Sequence, residues 1–205
     1  MNMRRILTVL TPLALAATLL AQAPSAAKAP AAPKAPSITP RPAGEFVIHM
    51  TDGSQKLLSS YRGKLVVMAF MFTTCEHCQH TAGILAKIQT EYAAKGVQVL
   101  GVTIDPGAER GIPGFLKITG ANFPVGFSDQ PQALKFLHAP TDGWYVPMLA
   151  FIDRAGTVRS QYVVLDPGDD ASKFLEGQEV NIRKELDKYL GTTAHTATPK
   201  QAPKS

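Results

Sequence analysis

Apolar runs and helix-patterned stretches alternate along the central part of this chain. Residues 65–72 form an apolar run with no polar interruption, which is typical of a strand buried on both faces. Between residues 84 and 92 the apolar side chains recur at helical spacing, and residues 97–104 form another run, rich in β-branched residues. The pattern predicts a strand, a helix and a second strand.

One hairpin is predicted before this central unit and one after it. Apolar residues at 46–50 and 56–58 flank a turn centred on Asp52-Gly53, which indicates an N-terminal β-hairpin. Residues 148–152 and 157–164 read as two further strands joined by the turn Asp153-Arg154-Ala155-Gly156.

Helical patterns fill the remaining segments. We expect a helix over about residues 109–119, with Asp105 as its cap, and a short strand at 123–127. Asp129 is expected to cap a helix that has Pro131 in its first turn. The last helix is predicted over about residues 170–190, interrupted at Gly177, with an apolar stripe of Phe174, Leu175, Ile182, Leu186 and Leu190. This order of elements predicts an α/β layer fold with a mixed sheet.

The ends of the chain differ in composition from its middle. Residues 1–23, with two arginines before an apolar run, read as a secretory signal peptide cleaved after residue 23 or 27. Residues 24–43 read as a Pro/Ala/Lys-rich linker, 44–191 as one domain, and 192–205 as a disordered tail. We therefore expect a periplasmic or secreted domain, which an uncleaved N-terminal segment would anchor in the membrane.

The net charge of +5 comes from the ends rather than from the predicted domain. The domain carries 14 basic and 16 acidic side chains, a balance of −2. A nucleic-acid-binding surface needs a basic face on the folded part, so nucleic acid is not an expected partner.

Cys75 and Cys78 are the two cysteines of the chain, and they lie where the first central strand gives way to a helix. A Cys-x-x-Cys pair at such a junction can close a small disulfide ring reversibly. The free amide groups and dipole at a helix N-terminus stabilise a thiolate at the first sulfur. The spacing therefore predicts redox chemistry.

The chain resembles the extracytoplasmic thiol–disulfide oxidoreductases of the thioredoxin fold, of the TlpA/ResA and redoxin type. The resemblance covers nearly all of residues 44–190 and is carried by five segments: Gly63-Lys64-Leu65-Val66-Val67, Cys75-Glu76-His77-Cys78, Val102-Thr103-Ile104-Asp105, Phe123-Pro124-Val125 and residues 145–156. It implies a thioredoxin-like three-layer fold with a mixed central sheet, an N-terminal β-hairpin and an inserted strand–helix unit between Cys78 and Pro147.

The resemblance also implies roles for the site residues. Cys75 is expected to be the exposed nucleophile and Cys78 the buried resolving thiol, together forming the redox-active disulfide, with no cofactor besides that disulfide and no metal. Pro147 is expected to follow a cis bond and to lie against the pair. Protein thiols and disulfides are the expected partners, a membrane electron donor is a further candidate, and the protein is expected to be a monomer.

Several neighbours of the pair are expected to modulate it or bind substrate. A protonated His77 would stabilise the Cys75 thiolate and an ionised Glu76 would oppose it, so the sequence does not decide between an oxidant and a reductant. Val146 would offer an extended backbone edge to an incoming peptide. Trp144 and Tyr145 would supply an apolar platform for a protein substrate, together with Phe72.

Two positions depart from the family pattern. Thr74 stands where many relatives have a tryptophan. Ala69 stands where thioredoxin buries an aspartate that carries the proton of the second thiol. The sequence names no replacement for that aspartate other than water or Glu76.

Two other classes of function remain open from the residues alone. Cys75, His77, Cys78 and His80 are numerous enough for zinc or copper binding, although four neighbours on one helix start rarely converge on one ion. A thiol peroxidase of the redoxin class is the second alternative, but Phe72 stands three residues before Cys75, where that class places a threonine.

Overall fold

The structure, a computed structural model, describes residues 38–192. Its eight strands are β1 (Arg41–Pro42), β2 (Val47–His49), β3 (Gln55–Leu57), β4 (Leu65–Met71), β5 (Val97–Thr103), β6 (Val125–Phe127), β7 (Tyr145–Ile152) and β8 (Thr157–Val164). Its five α-helices are α1 (Glu76–Tyr92), α2 (Ala108–Thr119), α3 (Gln130–Leu137), α4 (Asp170–Glu176) and α5 (Gln178–Thr192). Two short 3-10 helices span Leu58–Tyr61 and Ala93–Lys95.

All eight described strands form one mixed sheet in the order β1-β8-β7-β4-β5-β6-β2-β3. β4, β5 and β6 run parallel to one another, whereas β7, on the other side of β4, is antiparallel both to β4 and to β8. The predicted N-terminal hairpin is confirmed as β2 and β3, which lie at the edge beyond β6. The α/β class and the mixed sheet are both confirmed.

The central strand β4 is buried along its whole length because both faces of the sheet are covered. Alternate residues of a strand point to opposite faces. Leu65, Val67 and Ala69 therefore join a core that includes buried residues of α1, α2, α4 and α5. Val66, Met68 and Phe70 join a second core with α3 and the start of the domain. The result is a three-layer domain.

Gly126 explains how closely the hairpin packs on β6. A Cβ atom at this position would lie 2.6 Å from Cγ2 of Ile48 and would overlap the carbonyl oxygen of His49. Real Cβ contacts are not that short, so β2 can approach β6 because residue 126 has no side chain.

The two ends of the domain agree only in part with the prediction. Arg41–Pro42 pairs with β8, and Arg41 donates to the carbonyl oxygen of Phe136 at 2.6 Å, so the sheet begins before residue 44. The interruption predicted at Gly177 is confirmed, since this residue separates the last helical segment into α4 and α5. Within α5, Tyr189 is buried although the predicted stripe omitted it, whereas Leu190 is half-buried and packs against the first core.

The two predicted helix caps have opposite outcomes. Asp129 is confirmed, since its carboxylate accepts from the backbone N–H of Gln132 at 2.7 Å. The prediction that Asp105 caps α2 was wrong, because the N-cap of α2 is Gly107 and no side chain accepts a capping hydrogen bond from its first turn. The carboxylate of Asp105 instead accepts from Thr73, 32 residues earlier.

The predicted signal peptide, the linker up to residue 37 and the tail after residue 192 lie outside the described residues. Within residues 38–192, none of the helices has the length and apolar character that a membrane span requires.

Candidate redox site

The two cysteines lie at the junction between β4 and α1, as predicted. Cys75 is the N-cap of α1, with extended backbone angles, and its sulfur accepts from the backbone N–H of Cys78 at 3.4 Å. This contact provides an acceptor for one of the backbone N–H groups that a helix start leaves without an intrahelical partner. The sulfur of Cys75 is thus held at the helix N-terminus while its side chain remains partly exposed.

Cys78 lies one turn further into the helix and is fully buried. Burial raises the pKa of the Cys78 thiol well above its ordinary value, because a thiolate would lose its hydration. The contact with Cys75 adds to this increase, whereas the backbone N–H of Phe72, 3.5 Å from the Cys78 sulfur, acts against it. Both cysteines are free thiols in this structure.

Because the pKa of Cys78 is raised, we expect the free energy of unfolding to depend on pH in the alkaline range. Above about pH 8.5 the unfolded chain loses the Cys78 proton and the folded protein keeps it, so this contribution to the free energy of unfolding falls as pH rises. Between pH 8 and 10 we expect reduced wild-type protein to lose about 2 kcal/mol more than Cys78→Ser. Urea unfolding of both proteins across this range measures the difference, and parallel pH curves would contradict it.

Pro147 has the predicted backbone geometry, because the Val146–Pro147 bond is cis. Its predicted position against the cysteine pair stays a prediction. Pro147 is buried, and Val146 packs against both cores. Tyr145, Val146 and Pro147 line a cavity of about 440 Å³ together with His77. The structure therefore brings the β7 segment and the start of α1 to one surface depression.

The predicted aromatic platform is only partly exposed. The ring of Trp144 meets that of Phe72 edge to face, with centroids 6.0 Å apart, and its indole N–H donates to the carbonyl oxygen of Thr141 at 3.3 Å. Both rings are half-buried against the second core. Tyr145 is 52% exposed, so it is the most accessible of the three aromatic rings.

Glu76 and His77 occupy the first turn of α1, and both side chains are exposed. Their modulating roles stay predictions. Among the described residues, no group of three His, Cys, Asp or Glu side chains is arranged to hold a metal ion.

Sequence reasoning missed a polar pair beside the cysteines. Thr73 donates its backbone N–H to Oδ1 of Asp105 at 3.0 Å and its hydroxyl to Oδ2 at 2.5 Å. Gln79 donates to the carbonyl oxygen of Thr73 at 3.0 Å. The available signal was position, because both partners follow the carboxyl ends of apolar strands, which meet at one edge when the strands are parallel.

Comparison with known proteins agrees with this arrangement. The sequence matches the Redoxin family over residues 30–176. The thiol-disulfide oxidoreductase ResA of Geobacillus kaustophilus is 26% identical over 134 residues, which cover 65% of this chain and 74% of ResA.

Solved structures give the same picture of the fold. A protein of Chlorobium tepidum, described as the thiol:disulfide interchange protein DsbE, superposes with a TM-score of 0.55 and 28% identity, over 71% of this chain and 96% of its own. A thioredoxin-family thiol:disulfide interchange protein of Chlorobium tepidum TLS gives a TM-score of 0.59 at 20% identity, over 76% and 99%. The predicted thioredoxin-like fold is confirmed.

Proposed function

Because this chain belongs to the redoxin family, we propose that Cys75 and Cys78 exchange disulfides with protein substrates outside the cytoplasm. The reaction class predicted from the sequence, thiol–disulfide exchange, is confirmed by relatives that carry this activity in their names. Neither the metal-binding alternative nor the peroxidase alternative appears in those names.

The observation that carries the proposal is the asymmetry of the two sulfurs. Cys75 is partly exposed at a helix N-terminus, where a thiolate is stabilised and can attack a substrate disulfide. Cys78 is buried one turn away, with its N–H on the Cys75 sulfur. It can reach that sulfur but not a substrate, which is the arrangement needed to resolve a mixed disulfide.

The depression between the start of α1 and the β7 segment supports a polypeptide as the substrate. Its floor includes Val146 and Pro147, and its rim includes the exposed ring of Tyr145. Strand β7 pairs with β4 only as far as Met148, and its pairing with β8 is interrupted by a bulge between Tyr145 and Leu149, so residues 145–147 extend beyond the pairing with β4. An extended peptide can occupy such a position beside Cys75.

The extracytoplasmic location rests on the N-terminal sequence. Two arginines followed by an apolar run of signal-peptide length precede the linker. Protein disulfides form and persist in oxidising compartments outside the cytoplasm. We propose a periplasmic or secreted monomer that exchanges electrons with protein partners, a membrane electron donor among them.

Trapping of mixed disulfides tests the proposed roles. Cys78→Ser should hold a disulfide-containing protein substrate as a covalent complex that a reductant releases, because the resolving thiol is absent. Cys75→Ser should hold none, although it keeps Cys78. Equal trapping by both variants, or trapping only through Cys78, would overturn the assignment of Cys75 as nucleophile.

Tyr145 provides a separate test of substrate binding. Tyr145→Ala should lower kcat/KM for a protein disulfide about tenfold, which corresponds to about 1.4 kcal/mol of lost contact. The reaction with a small aryl disulfide should be unchanged, because that probe does not extend to the rim. Ile118→Ala is the matched control, since Ile118 is 67% exposed and lies on α2. Equal losses in both variants would contradict the prediction.

A further inference from the structure

The buried position of Cys78 raises the question of where its proton goes. The resolving step needs the thiolate, and the surroundings of Cys78 disfavour that form. The position on β4 where thioredoxin has its proton-carrying aspartate is occupied here by Ala69. Ala69 is fully buried between Gly101 and Leu149 of the neighbouring strands. Ala69 has no group that can accept a proton, so an acceptor side chain would have to come from another element.

We propose that Asp105 is the acid–base partner of Cys78, an inference that rests on the proposed role of Cys78 as the resolving thiol. The geometry begins at the ends of β4 and β5, where Met71 pairs with Thr103 and the N–H of Ile104 donates to the carbonyl oxygen of Met71 at 2.9 Å. Asp105 is thereby held beside the segment that leads from β4 to Cys75.

Two consecutive backbone amide groups of that segment contact the Cys78 thiol and the Asp105 carboxylate. The N–H of Phe72 points to the Cys78 sulfur at 3.5 Å, and the N–H of Thr73 donates to Oδ1 of Asp105 at 3.0 Å. The Thr73 hydroxyl fixes the second carboxylate oxygen. The thiol of Cys78 and the carboxylate of Asp105 are therefore bound by the backbone of two adjacent residues.

The fit of this segment depends on helix α2. A Cβ atom at Gly111 would lie 2.9 Å from Cβ of Thr73 and would overlap its hydroxyl. The absence of a side chain at residue 111 leaves room for Thr73 and hence for its bonds to Asp105.

The charge of Asp105 remains available to the thiol. No lysine, arginine or histidine within residues 38–192 forms a salt bridge with it. Its carboxylate is one of the groups that raise the pKa of Cys78, behind burial and Cys75. Transfer of the thiol proton to Asp105 leaves a thiolate beside a neutral acid, whereas loss of that proton elsewhere would leave two anions close together.

Asp105 also has a route to solvent. It lines an open cavity of about 490 Å³ at the carboxyl ends of β5 and β6. The titratable groups around this cavity are His49 of β2, Glu109 of α2 and Asp129 before α3, and the guanidinium group of Arg110 lies near Gly107 at its wall. A proton received by Asp105 can therefore pass to water.

The step balances as follows. The S–H bond of Cys78 breaks, its proton goes to Asp105, and the thiolate attacks the Cys75 sulfur in the mixed disulfide. The bond between Cys75 and the substrate breaks, and the substrate leaves as a thiolate that has received the electron pair. In the reverse direction the protonated Asp105 returns its proton to Cys78 when the Cys75–Cys78 bond opens.

An aryl disulfide probe, dithiobis(nitrobenzoate), separates the two steps, because each releases one coloured thiolate. In stopped-flow at pH 7, Asp105→Asn should keep the first release and slow the second by about 10²-fold, the usual contribution of a positioned base. The second rate should recover as pH rises, because hydroxide replaces the carboxylate. Asparagine keeps an acceptor oxygen for Thr73.

Asp129→Asn is the matched control, since Asp129 lines the same cavity and asparagine caps helices equally well. It should leave both releases unchanged. A wild-type second step in Asp105→Asn would overturn the proposal, and so would a slow second step with an unchanged pH profile, which indicates only displaced structure. Absence of the first release in wild type would instead refute Cys75 as nucleophile. Thermal unfolding of Asp105→Asn checks that the variant is folded.

Discussion

Replacing Cys75 by serine is expected to lower the turnover of insulin-disulfide reduction by at least about 10³-fold. Cys75 supplies the accessible sulfur of the pair, and a serine hydroxyl at a helix N-terminus is not ionised at neutral pH. Cys78 cannot substitute for it, because its sulfur is buried and burial raises its pKa. The measurement is the rate of insulin precipitation with a dithiol as the electron source.

Two variants make this result specific. Thr74→Ser changes the exposed residue before Cys75 without removing a sulfur, and it should retain wild-type turnover. Cys78→Ser should lose multiple turnover but keep a single covalent exchange. Substantial turnover by Cys75→Ser would mean that the accessible sulfur is not the one that attacks.

The largest loss of stability is expected from Phe174→Ala, at about 3–5 kcal/mol in the free energy of unfolding. Phe174 is buried and its ring stacks on Tyr162, with centroids 3.5 Å apart, and meets Phe151 edge to face. Removing the ring leaves a cavity between α4 and the strands β7 and β8. Urea unfolding at neutral pH measures the effect.

Leu175→Ala is the matched control for that substitution. Leu175 follows Phe174 on α4 and is only half-buried at the edge of the same core. It should lose about 1 kcal/mol, because less apolar surface returns to water. Similar losses in the two variants would show that the aromatic contacts do not hold α4 on the sheet.

The elements that could be predicted are those whose pattern is local. The uninterrupted run of β4 and the spacing within α1 placed Cys75 at the strand–helix junction, where the structure has it. The Asp129 cap was predictable because its partner, Gln132, lies three residues away.

The features that could not be predicted depend on distant partners. Asp105 was assigned to the nearest helix, but its carboxylate bonds to Thr73, 32 residues away in sequence and adjacent only because β4 and β5 pair in parallel. The strand β1 was missed because two residues carry no periodicity, and its pairing with β8 depends on the folded sheet. The predicted stripe of the last helix included Leu190 but not Tyr189, whereas the structure buries Tyr189 and leaves Leu190 half-buried, because the side of the last turn that faces the core depends on the packing of the folded domain.

The unequal exposure of the two sulfurs determines how partners share this molecule. If Cys75 is the nucleophile, as proposed, a donor and an acceptor of electrons must both react with it, so they bind in alternation and compete for the same docking surface. An excess of either one should therefore slow the overall flow of electrons, and the ratio of the two in the compartment sets which form of the pair accumulates.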